Sequence, residues 1–394
     1  MGEFDAGRLR RYASLSREAA REGIINLNPI QRGGILPEEA RRALVEFGDG
    51  YSMCDFCLKG RIDMIDRPPV RRFLEDLAAF LGMDVVRLTN RCRDALLATL
   101  MGLKRARGGS ALVVDANAHY STYLAAELAG LEVVEVPHTG HPEFRVLLEA
   151  YREAIEAAEE RTGQPPVAAL LTHADPYYGN LNDARRVAEI CHEASVPFVL
   201  NAAYTAGVMP VDGRELGVDV LVSSGHKSWA SSGPVGILAL TDEVAEHVLA
   251  RSERFPNKEL YLLGCPVLGA ALATLMASFS HVVERVKRWP EEVEKARWLV
   301  EQLERIEGVR QLGVRPKDHT LICFETPGFH EVARRHKRRG FFLYEELKKH
   351  SIVGIQPGLT KRIKLSTYGL TREELERVAR AFHEIAAKYG LEVR

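Results

Sequence analysis

The sequence predicts an α/β protein, with a mostly parallel, doubly wound sheet followed by a smaller α+β unit. Three observations point there. From about residue 85 onward, short apolar runs alternate with stretches of helical periodicity. The runs are continuous and rich in Val, Leu and Ile, as strands covered on both faces must be. Polar and charged residues collect just beyond several runs, at the strand ends where open sheets of this kind bind ligands.

Taken in order, Val85–Leu88 reads as a strand and Arg93–Arg105 as a helix. Ala111–Asp115 reads as a strand, Tyr120–Leu128 as a helix and Val133–Val136 as a strand. Phe144–Arg161 has helical periodicity, Val167–Thr172 reads as a strand and Asp183–Ala194 as a helix. Pro197–Leu200, Val218–Val222 and Ile237–Leu240 complete the apolar runs. A long helical stretch runs from near Pro266 towards Leu303, with a kink expected at Pro290. The expected division is an arm over 1–70, a large domain over 71–290 and a small domain over 291–394. The arm is rich in Gly, Pro and charge, and should wrap over the large domain or a partner subunit. The arginines between Arg8 and Arg21 read as an exposed amphipathic helix within it.

Composition narrows the function. The chain has 394 residues, 53 basic against 54 acidic, for a net charge of -1. There is no global electrostatic case for a nucleic-acid partner, although a local patch can suffice. No stretch is long and apolar enough to span a bilayer, and the arginine-rich start lacks the apolar centre of a signal peptide. We therefore expect a cytoplasmic protein with no membrane partner. Its six cysteines are then reduced, as core residues, metal ligands or reactive groups.

The most telling stretch is Asp219 to Lys227, where an apolar strand ends in Ser223, Ser224 and Gly225, followed by His226 and Lys227. A lysine just beyond a buried strand is either at a solvated strand end or an amine kept neutral for covalent work. Ser-x-His-Lys followed by Ser231, Ser232 and Gly233 has the form of a pyridoxal phosphate (PLP) Schiff-base lysine; the motif alone leaves both readings open.

Other strand ends add to it. Thr89, Asn90, Arg91, Cys92 and Arg93 open a helix, whose free N–H groups and arginines suit a phosphate; an ordinary capped helix would read the same. His119, next to Tyr120, could stack on a planar ring and shuttle protons. The polar loop from Thr172 to Asn180 could bond a phenolic oxygen or simply build a turn. Asn201 stands where many PLP enzymes carry an aspartate that keeps the pyridine nitrogen protonated. Asparagine cannot supply that charge, so the cofactor should be a weaker electron sink, suited to elimination of a good leaving group.

Cys54 and Cys57 form a Cys-x-x-Cys pair with no second pair to complete a four-thiolate zinc site. Cys265 precedes a probable helix start, where thiol pKa values tend to fall. If it meets the pair, three thiolates could hold an iron–sulphur cluster or carry persulfide sulphur. Cys191 and Cys323 read as core, and Cys92 fits either role. The run Arg334 to Arg339 is a solvated helix face or a contact for RNA phosphates. Arg362 and Lys364 lie on an alternating strand, as an exposed face or as a grip on an anionic substrate group across the cleft.

In this order, Thr89 and Arg93, His119–Tyr120, Leu171-Thr-His173, Asn201 and Lys227 resemble the fold-type-I PLP enzymes near the cysteine desulfurase branch. Longer strings are similar to one family among them, the O-phosphoseryl-tRNA:cysteinyl-tRNA synthases. They are Gly48-Asp-Gly-Tyr-Ser-Met-Cys-Asp-Phe-Cys57, Ser224-Gly-His-Lys-Ser228 with Gly233-Pro-Val-Gly236, and Leu263-Gly-Cys265. Phe341-Phe-Leu-Tyr-Glu-Glu-Leu-Lys348, and Pro357-Gly-Leu-Thr-Lys361 through Ser366-Thr-Tyr368, match as well. The similarity runs from about residue 26 over nearly the whole chain.

The resemblance implies a fold-type-I PLP-dependent transferase, a homodimer with its active sites at the subunit interface. Its substrate would be phosphoseryl-tRNA(Cys), charged by a separate phosphoseryl-tRNA synthetase, and its reaction the replacement of the β-phosphate by sulphur. Lys227 would be the Schiff-base lysine, His119 the ring-stacking residue and Asn201 the pyridine-nitrogen partner. Thr89, Asn90, Arg91, Cys92, Ser224 and His226 would complete the cofactor site. Cys54, Cys57 and Cys265 match the family's three essential cysteines. Arg93 would face the substrate phosphate, with Tyr120 and Arg362 as further substrate contacts.

The sequence also departs from the family. Asn90, Arg91 and Cys92 replace the usual His-Gly-Ala, and Pro266, Val267 and Leu268 replace Thr-Ala-Arg. A paralogue with altered substrate or sulphur donor, a lyase acting on a free amino acid as cysteine desulfurases do, and a non-catalytic tRNA-binding relative are the alternatives.

Overall fold

The computed structural model describes residues 10–49, 70–264 and 268–394. Within the arm, β1 (Ile25–Asn26) pairs in parallel with β11 (Ile352–Val353), Ile25 opposite Ile352. Ile25 and Leu27 are accordingly buried with Leu299, Phe324, Phe342 and Phe382 of the C-terminal part. The helix Glu38–Glu46 packs instead on the helix Gly269–Val286. The amphipathic helix expected at the start is replaced, in its described part, by two 3-10 turns, Arg10–Ala13 and Glu18–Ala20. Tyr12 and Leu15 stay exposed there, so no buried apolar stripe stabilises a longer helix.

The central sheet has seven strands: β2 (Val85–Thr89), β3 (Ala111–Asp115), β4 (Glu132–Val136), β5 (Ala168–Thr172), β6 (Phe198–Asn201), β7 (Val220–Ser224) and β8 (Gly236–Leu240). Their order is β2-β8-β7-β6-β5-β3-β4, and all pairs are parallel except those that β8 makes with β2 and β7. The continuous apolar runs are explained by cover on both faces. Ala111 and Val113 point into the core with Phe73, Tyr151 and Val187, while Leu112 and Val114 pack with Leu96, Leu100 and Ala126 on the other side.

Two expectations are corrected. Phe144–Arg161 is not one helix; the helix is Ala150–Thr162, and Phe144 has a φ of 49°. Val146 bridges His138, and the Phe144 ring stacks on Tyr178 at 4.0 Å, so tertiary packing overrides the local periodicity. The long helix after 266 is two helices, Gly269–Val286 and Trp289–Leu303. Pro290 lies in the first turn of the second, where its missing N–H costs no helical hydrogen bond.

The smaller unit holds an antiparallel sheet of β12 (Arg362–Ser366), β10 (Leu321–Glu325) and β9 (Arg310–Leu312), in that order. The last helix, Arg372–Lys388, opens with a capping box between Thr371 and Glu374. Among the described residues, no helix is long and apolar enough to cross a membrane.

Candidate active site

The strand register brings the sequence-marked residues to one edge of the sheet. Thr172 ends β5 opposite Asn201 at the end of β6, and Gly236 partners both Thr89 and Ser224. Above this edge lies a cavity of about 490 Å³. Its wall is formed by Thr172, Asn201, Ser224, His226 and Lys227 from the strand ends, Arg91 to Arg93 from a helix start, and His119, Tyr120 and Tyr204.

Lys227 sits on the single helical turn Gly225–Ser228 that follows β7 directly. Its Nζ lies 4.5 Å from the centroid of the Tyr204 ring. Burial lowers the pKa of this amine; the neighbouring Cys92 raises it, and Arg93 and Lys364 lower it further. The turn is fixed from below. Ser228 Oγ donates to the Ala203 carbonyl at 2.7 Å, Trp229 Nε1 donates to Ser223 Oγ at 2.9 Å, and Arg285 Nη2 donates to the Ser228 carbonyl at 2.5 Å. Gly225 is required here, because a Cβ would meet Val235 Cγ1 at 2.1 Å.

The helix Cys92–Arg107 points its start at the cavity. Arg91, its N-cap residue, is extended and gives no side-chain cap, so the first N–H groups remain for a ligand. Thr89 is buried, and its Oγ1 donates to the Arg91 carbonyl at 2.8 Å. Asn90 is exposed, and neither Thr89 nor Asn90 lines the cavity. Thr89 holds the turn instead. Gly236 admits it, since a Cβ there would lie 2.2 Å from Thr89 Oγ1 and 2.6 Å from the Arg91 carbonyl carbon. Arg91 pairs with Asp94 at 3.2 Å, and Arg93 donates to the Tyr120 hydroxyl. Cys92 lines the cavity, but burial pushes its thiol up to about 11, so it is not a ready thiolate.

His119 caps the helix Tyr120–Leu128. Its Nδ1 accepts the Ser121 N–H at 3.3 Å and lies 2.8 Å from Ser121 Oγ. With Nδ1 accepting, the ring proton is assigned to Nε2. Burial, and then the charges of Lys227 and Arg93, lower its pKa to about 4, so the imidazole is neutral near pH 7. Asn201 Oδ1 accepts the Ala203 N–H at 3.3 Å, which leaves the amide nitrogen for a ligand. That nitrogen can donate to an unprotonated pyridine nitrogen but cannot hold a proton on one.

A family model described as O-phosphoseryl-tRNA(Sec) selenium transferase matches residues 73–387. The chain is 59% identical over 381 residues to O-phospho-L-seryl-tRNA:Cys-tRNA synthase 2 of Archaeoglobus fulgidus, covering 94% of this chain and 96% of that one. The chain belongs to the O-phospho-L-seryl-tRNA:Cys-tRNA synthase family. It is also 55% identical over 393 residues to the synthase of Methanopyrus kandleri, covering 98% and 99% of the two chains. A crystal structure of a SepCysS–SepCysE N-terminal domain complex superposes with a TM-score of 0.88 at 49% identity, covering 97% of this chain and 99% of that one. A cysteine desulfurase from Thermococcus onnurineus has a TM-score of 0.69 at 17% identity over 98% of this chain, which establishes the shared fold alone.

This is a family of PLP-dependent enzymes with the fold-type-I architecture, and the cavity fits that cofactor. It offers an amine of lowered pKa on Lys227, a neutral imidazole on His119, and an uncapped helix start for a phosphate. Thr172, on the wall, carries a buried hydroxyl that has no hydrogen-bond partner among the described residues. Gly225 and Gly236 stand where any side chain would clash with the turns that shape the wall.

The remaining residues divide. Cys54, Cys57 and Cys265 lie outside the described residues, as do Pro266 and Val267. Cys191 and Cys323 are buried, and among the described residues no group of three His, Cys, Asp or Glu could hold a metal ion. Arg362 lines a neighbouring cavity, with its guanidinium 5.8 Å from the Phe144 ring centroid. Lys364 reaches nearer the PLP site, where its Nζ donates at 2.7 Å to the carbonyl of Pro176, a residue of the wall.

Sequence reasoning passed over Tyr204 and Asp115. Asp115 is fully buried at the end of β3, and its Oδ2 accepts the Thr172 N–H at 2.7 Å. Burial pushes its carboxyl up to about 7, against the pull of the Thr172 N–H. A carboxylate ending an otherwise apolar run was the signal that could have found it.

Proposed function

We propose that this chain converts O-phosphoseryl-tRNA(Cys) to cysteinyl-tRNA(Cys) by PLP-dependent replacement of the β-phosphate with sulphur. The observation that carries the reading is Lys227, an amine of lowered pKa, on one cavity wall with His119, Asn201 and Arg93, in a chain 59% identical to a synthase of that name. Bound PLP supplies an electron sink for the charge that develops at the substrate Cα. Lys227 holds the cofactor, takes the Cα proton on Nζ and later returns one. His119 covers the ring as a neutral imidazole, and Asn201 donates to its nitrogen. Arg93, steadied by the Tyr120 hydroxyl, neutralises the departing phosphate.

The balance is simple: the Cβ–O bond breaks, a Cβ–S bond forms, and hydrogen sulfide anion replaces hydrogen phosphate. Sulphur arrives through Cys54, Cys57 and Cys265, either as sulfide from an iron–sulphur cluster that they hold, or as a persulfide on one of them; in the second case a further cysteine of the three supplies the two electrons that bring the outer sulphur to the sulfide level and becomes half of a disulfide. In this reading the large domain, 71–290, carries the cofactor residues, the small domain, 291–394, covers them, and the arm, 1–70, brings in two of the cysteines. A homodimer completes the site. Tyr120, Leu124 and Leu128 support it, because they are 49%, 49% and 73% exposed along one helical face that begins at Tyr120 on the cavity wall. A separate synthetase must load phosphoserine on the tRNA.

The test is to incubate anaerobically purified protein with PLP, phosphoseryl-tRNA and sulfide. Cysteinyl-tRNA should form, and Lys227→Ala should abolish both the product and the cofactor absorbance. Turnover of free cysteine with no tRNA product would overturn the reading in favour of a desulfurase.

A further inference from the structure

Two cavities continue from the PLP site across the small domain. The nearer, about 680 Å³, shares Ile30 with the PLP cavity. Tyr177, Tyr344, Gln356, Arg362 and Lys364 are on its wall. The acidic residue on that wall, Glu18, is paired with Lys348 at 2.9 Å. The farther, about 410 Å³, shares Leu359 with the nearer one. Its charged wall is wholly basic, formed by Arg334, Arg339 and Lys361, with His330 beside them.

This basic wall is built rather than incidental. The Thr326 N–H donates to the Lys361 carbonyl at 3.0 Å, and Thr326 Oγ1 to the Thr360 carbonyl at 2.8 Å. Gly340 presses so closely on the next segment that a Cβ would lie 2.3 Å from the Gly358 carbonyl oxygen. Arg334 is paired with Glu331, but Arg339 and Lys361 have no acidic partner among the described residues. Uncompensated like charges in one concavity repel each other, and an anionic ligand relieves that cost.

We propose that the three cavities form one track for the unpaired 3′ end of an aminoacylated tRNA. The proposal rests on the function given above, because the aminoacyl group must reach Lys227 and its nucleotides must then lie just outside. The nearer cavity offers Tyr177, 43% exposed, and Tyr344 as faces for bases. Arg362 at its wall, and Arg339, Lys361 and Arg334 beyond, take the backbone phosphates. Aromatic faces followed by unpaired basic groups is the arrangement that binds single strands without reading their sequence.

The experiment compares wild type with the double variant Arg339→Gln/Lys361→Gln, by fluorescence anisotropy of labelled tRNA(Cys), with and without its unpaired 3′ nucleotides, over a range of salt. For wild type, removing the 3′ nucleotides should cost about tenfold in affinity, and for the variant much less. The slope of log affinity against log salt should fall by about 2 in the variant. The charge-keeping variant Arg339→Lys/Lys361→Arg should restore both, and unchanged cofactor absorbance and melting temperature exclude misfolding. Equal losses on 3′ truncation in wild type and variant, or an unchanged salt slope, would overturn the track. Binding is read without turnover, so the two proposals fail separately. A wild type that grips the 3′ end but makes no cysteinyl-tRNA sinks the function alone.

Discussion

Lys227 Nζ faces the ring of Tyr204 at 4.5 Å from its centroid, on the wall of the cavity at the sheet edge. Two effects oppose each other there. The aromatic face favours the ammonium, by roughly 1 kcal/mol, and burial disfavours it. Burial wins, since the amine's pKa falls below its ordinary 10.5. The apo-protein should therefore recapture PLP with a rate that rises with pH to a midpoint below 10.5. Tyr204→Leu removes the aromatic contact with the ammonium and should move the midpoint lower still. Stopped-flow absorbance against pH reads both, and a wild-type midpoint at the ordinary lysine value would refute the argument.

Gly236 is where the turn from Thr89 to Arg91 meets the sheet. An added methyl would strike Thr89 Oγ1 at 2.2 Å and the Arg91 carbonyl carbon at 2.6 Å, so the turn must move. Gly236→Ala should cost about 1–3 kcal/mol of stability and weaken PLP binding by tenfold or more. Thermal unfolding of the apo-protein and a PLP titration separate the two effects. Full PLP affinity in a properly folded variant would show that the turn does not hold the cofactor phosphate.

Much of this site was legible because sheet chemistry is local. The strands from Val85 to Leu240 announce themselves by composition, and the register alone then carries Thr172, Asn201 and Lys227 to one edge. What could not be read is non-local. The pairing of Ile25 with Ile352 leaves no periodicity in either segment. Phe144 looks helical until its ring finds Tyr178. Arg362 and Lys364 are alike on an alternating strand, and only the fold brings both to the neighbouring cavity and Lys364 to the Pro176 carbonyl as well. The basic run from Arg334 to Arg339 was visible, whereas its meeting with Lys361 around one cavity was not.

Arg93 and Tyr120 test the leaving-group assignment. The guanidinium donates to the Tyr120 hydroxyl and lies 5.0 Å from the ring centroid, which holds a flexible side chain at the cavity mouth. Arg93→Gln should lower kcat on the order of 100-fold, with cofactor absorbance intact, because a planar cation that meets a departing dianion acts mainly in the transition state. Tyr120→Phe removes only the positioning contact and should cost less than about tenfold. Single-turnover phosphate release measures both, and an Arg93→Gln enzyme that releases phosphate at the wild-type rate would remove Arg93 from the mechanism.

Buried titratable groups set how stability responds to pH, and they act in opposite directions. His173 and His319 are buried; burial lowers their pKa values to about 4 and about 3. His319 Nδ1 accepts the Leu321 N–H at 3.0 Å and its Nε2 donates to the Tyr204 carbonyl at 3.0 Å, so a second ring proton would break a hydrogen bond. Unfolded histidines take up protons near 6.5 while these do not, so their contribution is present above that value and is lost as pH falls towards about 4. Asp115 is the reverse: raised from 3.8 to about 7, its contribution is present at low pH and lost as pH rises through about 7. Among these three groups two oppose one, and His119, lowered to about 4, acts in the same direction as the two buried histidines. The apo-protein should therefore lose on the order of a few kcal/mol between pH 6.5 and 4.5, and melt at a lower temperature at pH 5 than at pH 7.5. Asp115→Asn, which can still accept the Thr172 N–H, should raise the melting temperature at pH 8 and steepen the loss below pH 6.5, because it removes the opposing group. A wild type that melts higher at pH 5 than at pH 7.5 would mean that Asp115 outweighs the two histidines.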